Sequence, residues 1–218
     1  NATGTVAKPN ETGVTHGGVP GSGPGALIGG LNPADRNIIS GNTDGSTATG
    51  GYPSTDWVVQ GNYIGVGADG VTAIPNSNGN GSGALSVDDC EGVLIGGATP
   101  AAANVISGNV SYGIAPHNSV DLHIAGNYIG TDYTGTQAVP NLVGIIVGGN
   151  QEGLLIGGTT AAERNIVSGN TISGILSGSS IGPVQISGNY IGLNKTGTSA
   201  IPNGTGVMIA DNSIVGGS

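Results

Sequence analysis

Apolar residues along the chain come in short pulses, in which two aliphatic side chains flank one other residue. Leu154 and Ile156 form one such pair, and Val184 and Ile186 form another. This spacing places both aliphatic side chains on the same face of a β-strand. Between the pulses stand Gly-Asn, Ser-Gly-Asn or Pro-Asn, which are turn formers that tolerate positive φ. The pattern therefore predicts many short strands joined by tight turns.

The strands belong to an internal repeat with two unlike halves. Two sets of segments match among themselves, namely 26–42, 92–109 and 153–170 in the first set and 60–76, 125–141 and 187–203 in the second. A glycine that precedes a small or aliphatic residue recurs every 30 to 32 residues, at Gly83, Gly113, Gly144, Gly174 and Gly206. Three short strands in each coil leave no room for crossover helices, so the coils must stack with parallel strands about 4.8 Å apart.

We therefore predict an all-β fold, a right-handed parallel β-helix (solenoid) of six to seven coils of about 31 residues in alternating pairs. It forms a single domain over residues 1–218, in which residues 1–25 are a partial first coil or a docking arm. The chain begins at Asn1 rather than Met, which indicates either a removed leader or a piece of a longer protein.

Asparagines recur at fixed points of the repeat. They stand at one turn in the second set and at another turn in the first set: Asn62, Asn127 and Asn189, and Asn37, Asn104 and Asn165. Stacked asparagine side chains can hydrogen-bond along such a ladder. We expect these residues to be architectural rather than catalytic.

The charge of the chain excludes several classes of partner. The net charge is −9 with only four Lys and Arg residues, so a nucleic acid, whose phosphates require clustered cations, is excluded. No apolar stretch reaches the roughly 20 residues that span a bilayer, which excludes membrane insertion. The lone cysteine, Cys90, has no disulfide partner and is expected to be a small buried apolar residue.

The GNxIG, NxISGN and IGG elements resemble the right-handed β-helix repeats of large secreted and cell-surface bacterial proteins, within the pectate-lyase-like superfold. The resemblance covers nearly the whole chain and implies an extracellular or cell-surface location. This superfold carries lyases, hydrolases, adhesins and structural stalks, so the resemblance implies a fold rather than an activity.

The resemblance implies that an enzyme on this fold acts on acidic polysaccharides with Asp clusters and nearby Arg or Lys. Asp88 and Asp89, with His117 one coil later, are the best match, and paired carboxylates can serve glycoside hydrolysis. The Gly-His-Gly and Arg-x-Lys elements of the glycosidase pattern are absent from the sequence. Arg36 and Arg164 each follow an acidic residue, which predicts local ion pairs. We expect a solvated acidic turn here and no catalytic residues.

Four carboxylates recur five residues before the glycine that ends a strand: Asp56, Glu91, Asp121 and Glu152. Carboxylates about 5 Å apart repel one another, so such a column favours a bound cation or raised pKa values. Calcium, which prefers several oxygen ligands, is the candidate ion, and the alternative is a wet acidic edge. No other cofactor is predicted.

The middle residue of each Asn-x-Ile or Asn-x-Val triplet should point away from the core. These residues are Ile38, Tyr63, Val105, Tyr128, Ile166 and Tyr190. An exposed stripe of this kind is typical of a partner surface or a sugar-stacking platform, unless the Ala-x-Pro-Asn arms fold over it. Candidate N-glycosylation sequons begin at Asn1, Asn10, Asn80, Asn109, Asn194 and Asn203.

These features favour a non-enzymatic extracellular structural or surface solenoid. Its open strand edges predict head-to-tail self-association into a filament. The alternative is a carbohydrate-binding or polysaccharide-degrading β-helix protein, similar to an adhesin or a depolymerase, with glycans as partners.

Overall fold

The structure is a computed structural model that describes residues 4, 6–16, 25–43, 47–49, 54–76, 83–178, 182–209 and 213–216. Within these residues the chain forms 22 short strands and two 3₁₀ turns, Pro33–Asp35 and Pro100–Ala102. The strands lie in three stacked parallel sheets, which we call sheets A, B and C, and in one two-stranded sheet. The predicted parallel β-solenoid is confirmed.

Sheet A contains, in stacking order, β1 (Val14–His16), β4 (Thr47–Thr49), β8 (Gly83–Asp88), β12 (Tyr112–His117), β15 (Val143–Val147), β18 (Ser173–Ser177) and β21 (Thr205–Met208). Sheet B contains β2 (Leu27–Gly29), β6 (Val58–Gln60), β10 (Leu94–Gly96), β13 (His123–Ala125), β16 (Leu154–Gly157), β19 (Val184–Ser187) and β22 (Ile214–Val215). Sheet C contains β3 (Ile38–Ile39), β7 (Tyr63–Ile64), β11 (Val105–Ile106), β14 (Tyr128–Ile129), β17 (Ile166–Val167) and β20 (Tyr190–Ile191). The short fourth sheet pairs β5 (Ser54–Thr55) with β9 (Cys90–Glu91).

Two kinds of coil alternate because their connections differ. In the insert coils, the connection between sheets B and C carries a short turn, at residues 32–36, 99–103 and 160–164. The arm coils instead carry a hairpin after sheet C, closed by the antiparallel bridges Val66–Ala73, Thr131–Ala138 and Leu193–Ala200. Both additions lie outside the coil, so the three sheets keep their register through every repeat.

One continuous aliphatic core fills the inside of the coils. Each sheet sends buried aliphatic side chains inward, represented by Ile145 in sheet A, Ile124 in sheet B and Ile129 in sheet C, all fully buried. Full burial of such a side chain stabilises the fold by about 1.5–3 kcal/mol. The alternation in the sequence therefore identifies the core residues correctly.

A first asparagine ladder runs along the turn between sheets B and C. Asn104 donates from its backbone N to Oδ1 of Asn127 at 3.2 Å and from Nδ2 at 2.9 Å, and every other step has the same two bonds. The ladder is Asn37, Asn62, Asn104, Asn127, Asn165 and Asn189. The assignment of these residues to two different turns is wrong, because in both kinds of coil the asparagine stands directly before the sheet C strand.

A second ladder stabilises the turn between sheets C and A. It links asparagines of the Ser-Gly-Asn and Pro-Asn elements in the order Asn10, Asn42, Asn76, Asn109, Asn141, Asn170 and Asn203. Most of these side chains are buried, and each Nδ2 from Asn42 to Asn170 donates to Oδ1 of the asparagine in the next coil. Sequence analysis treated the Pro-Asn and Ser-Gly-Asn elements only as turns and missed this ladder.

We predict that Ile129→Ala lowers the free energy of unfolding by about 2–5 kcal/mol, because the side chain is fully buried and leaves a cavity. Ile191→Ala removes the equivalent side chain in the last strand of sheet C, where it is only half-buried, and should cost less. Urea unfolding followed by circular dichroism measures both. Equal losses would show that β20 is as well packed as β14.

We also predict that Asn127→Ala destabilises the fold by more than about 2 kcal/mol. The substitution leaves buried donors and acceptors without a partner, and each such group costs about 1–3 kcal/mol. The groups that lose their partner are the N–H and Nδ2 of Asn104 and the carbonyl of Ile95. Asn189→Ala at the half-buried end of the ladder is the matched control and should cost less. A negligible effect of Asn127→Ala on urea unfolding would contradict a stabilising role for the ladder.

Candidate functional site

The predicted acidic column separates into two columns. Asp56 pairs opposite Gly92, and Asp121 pairs opposite Gly153, because Thr55 aligns with Glu91 and Val120 aligns with both Glu91 and Glu152. Each column therefore has a carboxylate only in every second coil. Same-column carboxylates stand about 10 Å apart, at twice the strand spacing.

The backbone conformation explains why Asp56 and Asp121 occur at their positions, without a ligand. Their φ values are 58° and 50°, and the glycines that alternate with them have φ values of 68° and 70°. Among residues with a side chain, Asp and Asn tolerate this left-handed conformation best. The position therefore selects Gly or Asp for conformational reasons.

In this register no two of these carboxylates stand directly opposite each other in neighbouring coils, which reduces their repulsion. All four carboxylates, those of Asp56, Glu91, Asp121 and Glu152, are solvent-exposed. Among the residues that the structure describes, no three His, Cys, Asp or Glu side chains lie close enough to hold a metal ion. Calcium binding stays a prediction, and the geometry favours the wet acidic edge that was its alternative.

The expected apolar stripe is not an exposed surface. Tyr63, Val105 and Ile166 are 6%, 2% and 5% exposed, while Tyr128 and Tyr190 are half-buried. Only Ile38, in the first strand of sheet C, is largely exposed, at 43%. The prediction of a continuous platform is therefore wrong.

The hairpin arms of the arm coils cover the stripe. Tyr63, Tyr128 and Val105 pack with Val66 and Val139 of the arms in a second apolar cluster outside sheet C. The turn of each arm contains a glycine that lies against the tyrosine ring of the same coil. A Cβ atom at Gly70, for example, would collide with the ring of Tyr63. Burial accordingly raises the pKa of the Tyr63 phenol, against the opposing effect of Arg36. The stripe is a packing surface for the arms.

The two arginines stack on tyrosines instead of forming the predicted ion pairs. The Arg36 guanidinium lies 4.1 Å from the centre of the Tyr63 ring, and that of Arg164 lies 4.0 Å from the Tyr190 ring. Such cation–π contacts contribute about 0.5–2 kcal/mol. Each arginine Nε also donates to a backbone carbonyl of the next coil, Gly61 for Arg36 and Gly188 for Arg164.

The acidic neighbours of these arginines close the inserts. An Asp35 carboxylate oxygen accepts from N and Nδ2 of Asn32, and a Glu163 carboxylate oxygen accepts from N and Oγ1 of Thr160. Hydrogen bonds from Thr160 lower the pKa of Glu163. Both inserts therefore have a capping geometry, and it uses the carboxylates for which the sequence predicts ion pairs.

A shallow groove lies on the outer face of sheet A beside Asp88 and His117, the best match in the sequence to an enzyme pattern. Its volume is about 240 Å³, and its lining includes Asp88, Tyr112, Pro116, His117 and Ile146. Asp88 and His117 stand opposite each other in neighbouring coils. Burial raises the pKa of Asp88, while His117 lowers it and Asp89 raises it further.

The groove does not contain a pair of carboxyl groups. Asp89 stands at an exposed left-handed turn with φ of 53°, opposite Asn118 with φ of 51°, and does not line the groove. Among the described lining residues, neither Arg nor Lys is present. Asp88 and His117 are thus brought together. Asp89, the candidate for the second carboxyl group that glycoside hydrolysis requires, lies at a turn outside the groove.

The asparagine ladders occupy several predicted glycosylation sites. Asn109 is 3% exposed, and its Nδ2 donates to Oδ1 of Asn141, so a glycan there is incompatible with the fold. Asn203 donates from Nδ2 to the Val167 carbonyl, and Asn10 donates from Nδ2 to Asn42. Asn194 uses its Oδ1 to close a hairpin arm, accepting from the Thr196 hydroxyl. Asn1 and Asn80 lie outside the described residues.

Comparison with known proteins assigns no family to this chain. No protein-family model, no curated protein and no solved structure matches the chain. In the described part of the chain, no helix has the length and apolar character needed to span a bilayer. The functional argument therefore depends on the site geometry.

We predict that Asp88→Asn stabilises the protein at neutral pH. Because burial raises the pKa of Asp88 in the folded state, its favourable contribution is complete below the pKa of the unfolded chain and is lost as the pH rises through the folded pKa. The gain in melting temperature should therefore appear at neutral pH and vanish in acid, below the usual range of carboxyl groups. Asp89→Asn, at an exposed turn that suits Asn, should change stability by less than about 0.5 kcal/mol at either pH. A loss of stability in Asp88→Asn at neutral pH would contradict this assignment.

Proposed function

We propose that the chain is a non-enzymatic structural or surface solenoid that works in an extracellular or cell-surface setting. One observation carries this proposal: the polar residues that recur in every repeat are occupied in holding the coils together. Asn127, for example, bonds to the coils on both sides and to the Ile95 carbonyl. A side chain engaged in this way is not free to bind a substrate.

The outside of the coil supports the same function. The arms cover the aromatic stripe with their own apolar residues, and the arginines stack on tyrosines of the next coil. About six coils give a rod of about 30 Å at the strand spacing. Such a rod can act as a spacer or as part of a longer stalk.

The resemblance of the GNxIG and NxISGN elements to secreted and cell-surface β-helix repeats supports the proposed location. The low content of charged residues, 8%, and the acidic net charge agree with a surface module that has neither nucleic acid nor membrane lipid as its partner. Head-to-tail self-association is the assembly that we propose for it, since among the described strands neither β3 nor β20 has a neighbour on its outer side.

The groove on sheet A favours a second candidate function, the binding or cleavage of a polysaccharide. Tyr112 and Pro116 offer apolar contact for a sugar ring, and Asp88 and His117 offer hydrogen-bonding groups. Tyr112 is half-buried, and only one carboxyl group lines the groove. This candidate is weaker because it lacks a second carboxyl group for catalysis.

A screen of acidic and neutral polysaccharides distinguishes the two functions. We expect neither new reducing ends nor unsaturated products from any substrate, and equal glycan binding by the wild type and by Asp88→Asn. Product formation that Asp88→Asn abolishes, in a variant that melts no lower than the wild type, would overturn the proposal in favour of an enzyme. Glycan binding that Tyr112→Ala abolishes, with the fold intact by circular dichroism, would favour the binding module.

A further inference from the structure

Sheet C ends in two open edges that differ in kind. At one end, β3 exposes Ile38 to 43%, whereas Val105 and Ile166 at the equivalent position are 2% and 5% exposed. Asn37 beside it is exposed, whereas Asn104 and Asn165 are fully buried. The described structure has no strand on the outer side of β3, and the missing neighbour accounts for this exposure.

A groove runs along this edge. Its volume is about 580 Å³, and Ile38 and Ile39 of β3 form its floor. Val6 and Ala7, from the first segment of the chain, form one wall, and Val14 and Ile74 also line it. In the interior of the solenoid, the space between an insert-coil strand of sheet C and the arm of the preceding coil holds a sheet C strand. The groove therefore has the position and the walls of a strand site.

The interior repeats show which strand belongs there. Each insert-coil strand donates two backbone hydrogen bonds to the preceding arm-coil strand: Val105 N to Asn62 O at 2.9 Å and Ser107 N to Ile64 O at 3.0 Å. The next pair repeats this pattern from Ile166 N to Asn127 O and from Ser168 N to Ile129 O. Ile38 N and Ser40 N are the equivalent donors in β3, and within the described residues no preceding strand accepts from them.

The opposite end of sheet C presents that strand. β20 is an arm-coil strand with the sequence Gly-Asn-Tyr-Ile-Gly at 188–192, identical to 61–65 and 126–130. Its outer side also lacks a neighbour among the described strands, and Ile191 is only half-buried, whereas Ile64 and Ile129 are fully buried. By the interior pattern, the carbonyls of Asn189 and Ile191 are the acceptors that face this open side.

We propose that strand β20 of a second copy of this chain occupies the groove beside β3. In this joint Tyr190 lies opposite Ile38 and Ile191 lies opposite Ile39, in the register that Tyr63 and Val105 have in the interior. Ile38 N then donates to the Asn189 carbonyl and Ser40 N to the Ile191 carbonyl, while Asn189 donates to Oδ1 of Asn37. The joint rests on the proposed function, for which it specifies the partner and the contact.

The other two sheets determine what must move in the joint. β1 and β21 both follow a Pro-Asn element, and β2 and β22 both precede a Gly residue of the same turn, so the two ends duplicate each other in sheets A and B. A β20 strand can enter the groove only when one duplicate leaves. Residues 6–10 build the groove wall, and therefore the segment that leaves is the donor's 194–216.

This terminal segment is held in part by apolar burial. Met208, Ile214 and Val215 are 55%, 60% and 56% exposed, whereas Ile201 is 7% exposed and Val207 packs against the core, so detachment uncovers these two side chains. The places of β21 and β22 are taken by β1 and β2 of the acceptor, which have the same position in the repeat. The displacement conserves the number of coils that are stacked and adds the bonds of the joint.

The test uses the variant Ile38→Cys/Tyr190→Cys in a Cys90→Ala background, treated with a short bis-maleimide. Neighbouring parallel strands lie about 4.8 Å apart, within the reach of that reagent. We expect a ladder of crosslinked trimers and longer oligomers on a denaturing gel, because every copy then carries one group at each end. Each single-cysteine variant can give dimers at most. A double variant that also stops at dimers would overturn the joint.

Two further measurements separate the joint from general association. Ile38→Cys with Tyr128→Cys places the second thiol in an interior strand of the same type and should give no ladder. A peptide with the sequence of residues 187–193 should reduce the ladder at least tenfold when present in excess, and a scrambled peptide should not. A ladder that persists unchanged with the matched peptide would contradict β20 as the occupant. The polysaccharide screen is independent of this joint, so failure of the joint leaves the structural function standing.

Discussion

The buried asparagine amide is the group on which the rest of the solenoid depends. A side-chain amide inside the coil has to find hydrogen-bond partners, because a buried unpaired polar group costs about 1–3 kcal/mol. In this fold the partners of Asn104 are Oδ1 of Asn127 in the next coil and the Val59 carbonyl in the preceding coil. These bonds form only if neighbouring coils are aligned to the residue. The ladders therefore fix the register between neighbouring coils. The aliphatic core alone tolerates small shifts and does not determine this register.

This division explains which parts of the structure could be predicted from the sequence. The core and the coil period could be predicted because aliphatic alternation and turn residues act over a few neighbouring positions, as at Leu154 and Ile156. The common ladder of Asn37 and Asn62 could not, because insert coils and arm coils differ in length between equivalent points. The burial of Tyr63 could not be predicted for a related reason. The arm that covers the Tyr63 ring is close to it in space, and the local alternation of apolar residues does not show how the arm folds. The acidic residues were placed in one column because Gly96 and Gly126 were counted as equivalent, whereas Gly96 pairs with Ala125 and the two kinds of coil are offset by one residue at this point.

The outer surface of the coil tolerates changes that the inside does not. Arg36 and Arg164 stack on tyrosines of the following coil, but the middle insert has Ala103 at the same position and keeps the same fold. Likewise the arm turn is closed by Asp132 in one coil and by Asn194 in another, each accepting bonds from the residues that follow. Charge and size can vary at these positions because solvent replaces a missing contact. A function that differs between proteins built on such coils is therefore best placed in the inserts and arms, while the ladders supply the common frame.

The ladders also give the solenoid a direction. At every step of the first ladder the earlier coil donates from N and Nδ2, and the later coil accepts at Oδ1, as between Asn62 and Asn104. One end of the first ladder therefore offers an acceptor at Asn37, and the other end offers donors at Asn189. Two acceptor ends cannot bond to each other, nor can two donor ends, so the ladder opposes a symmetric dimer formed through like ends. Growth through these edges joins unlike ends, and repetition of a contact between unlike ends produces an open filament rather than a closed pair.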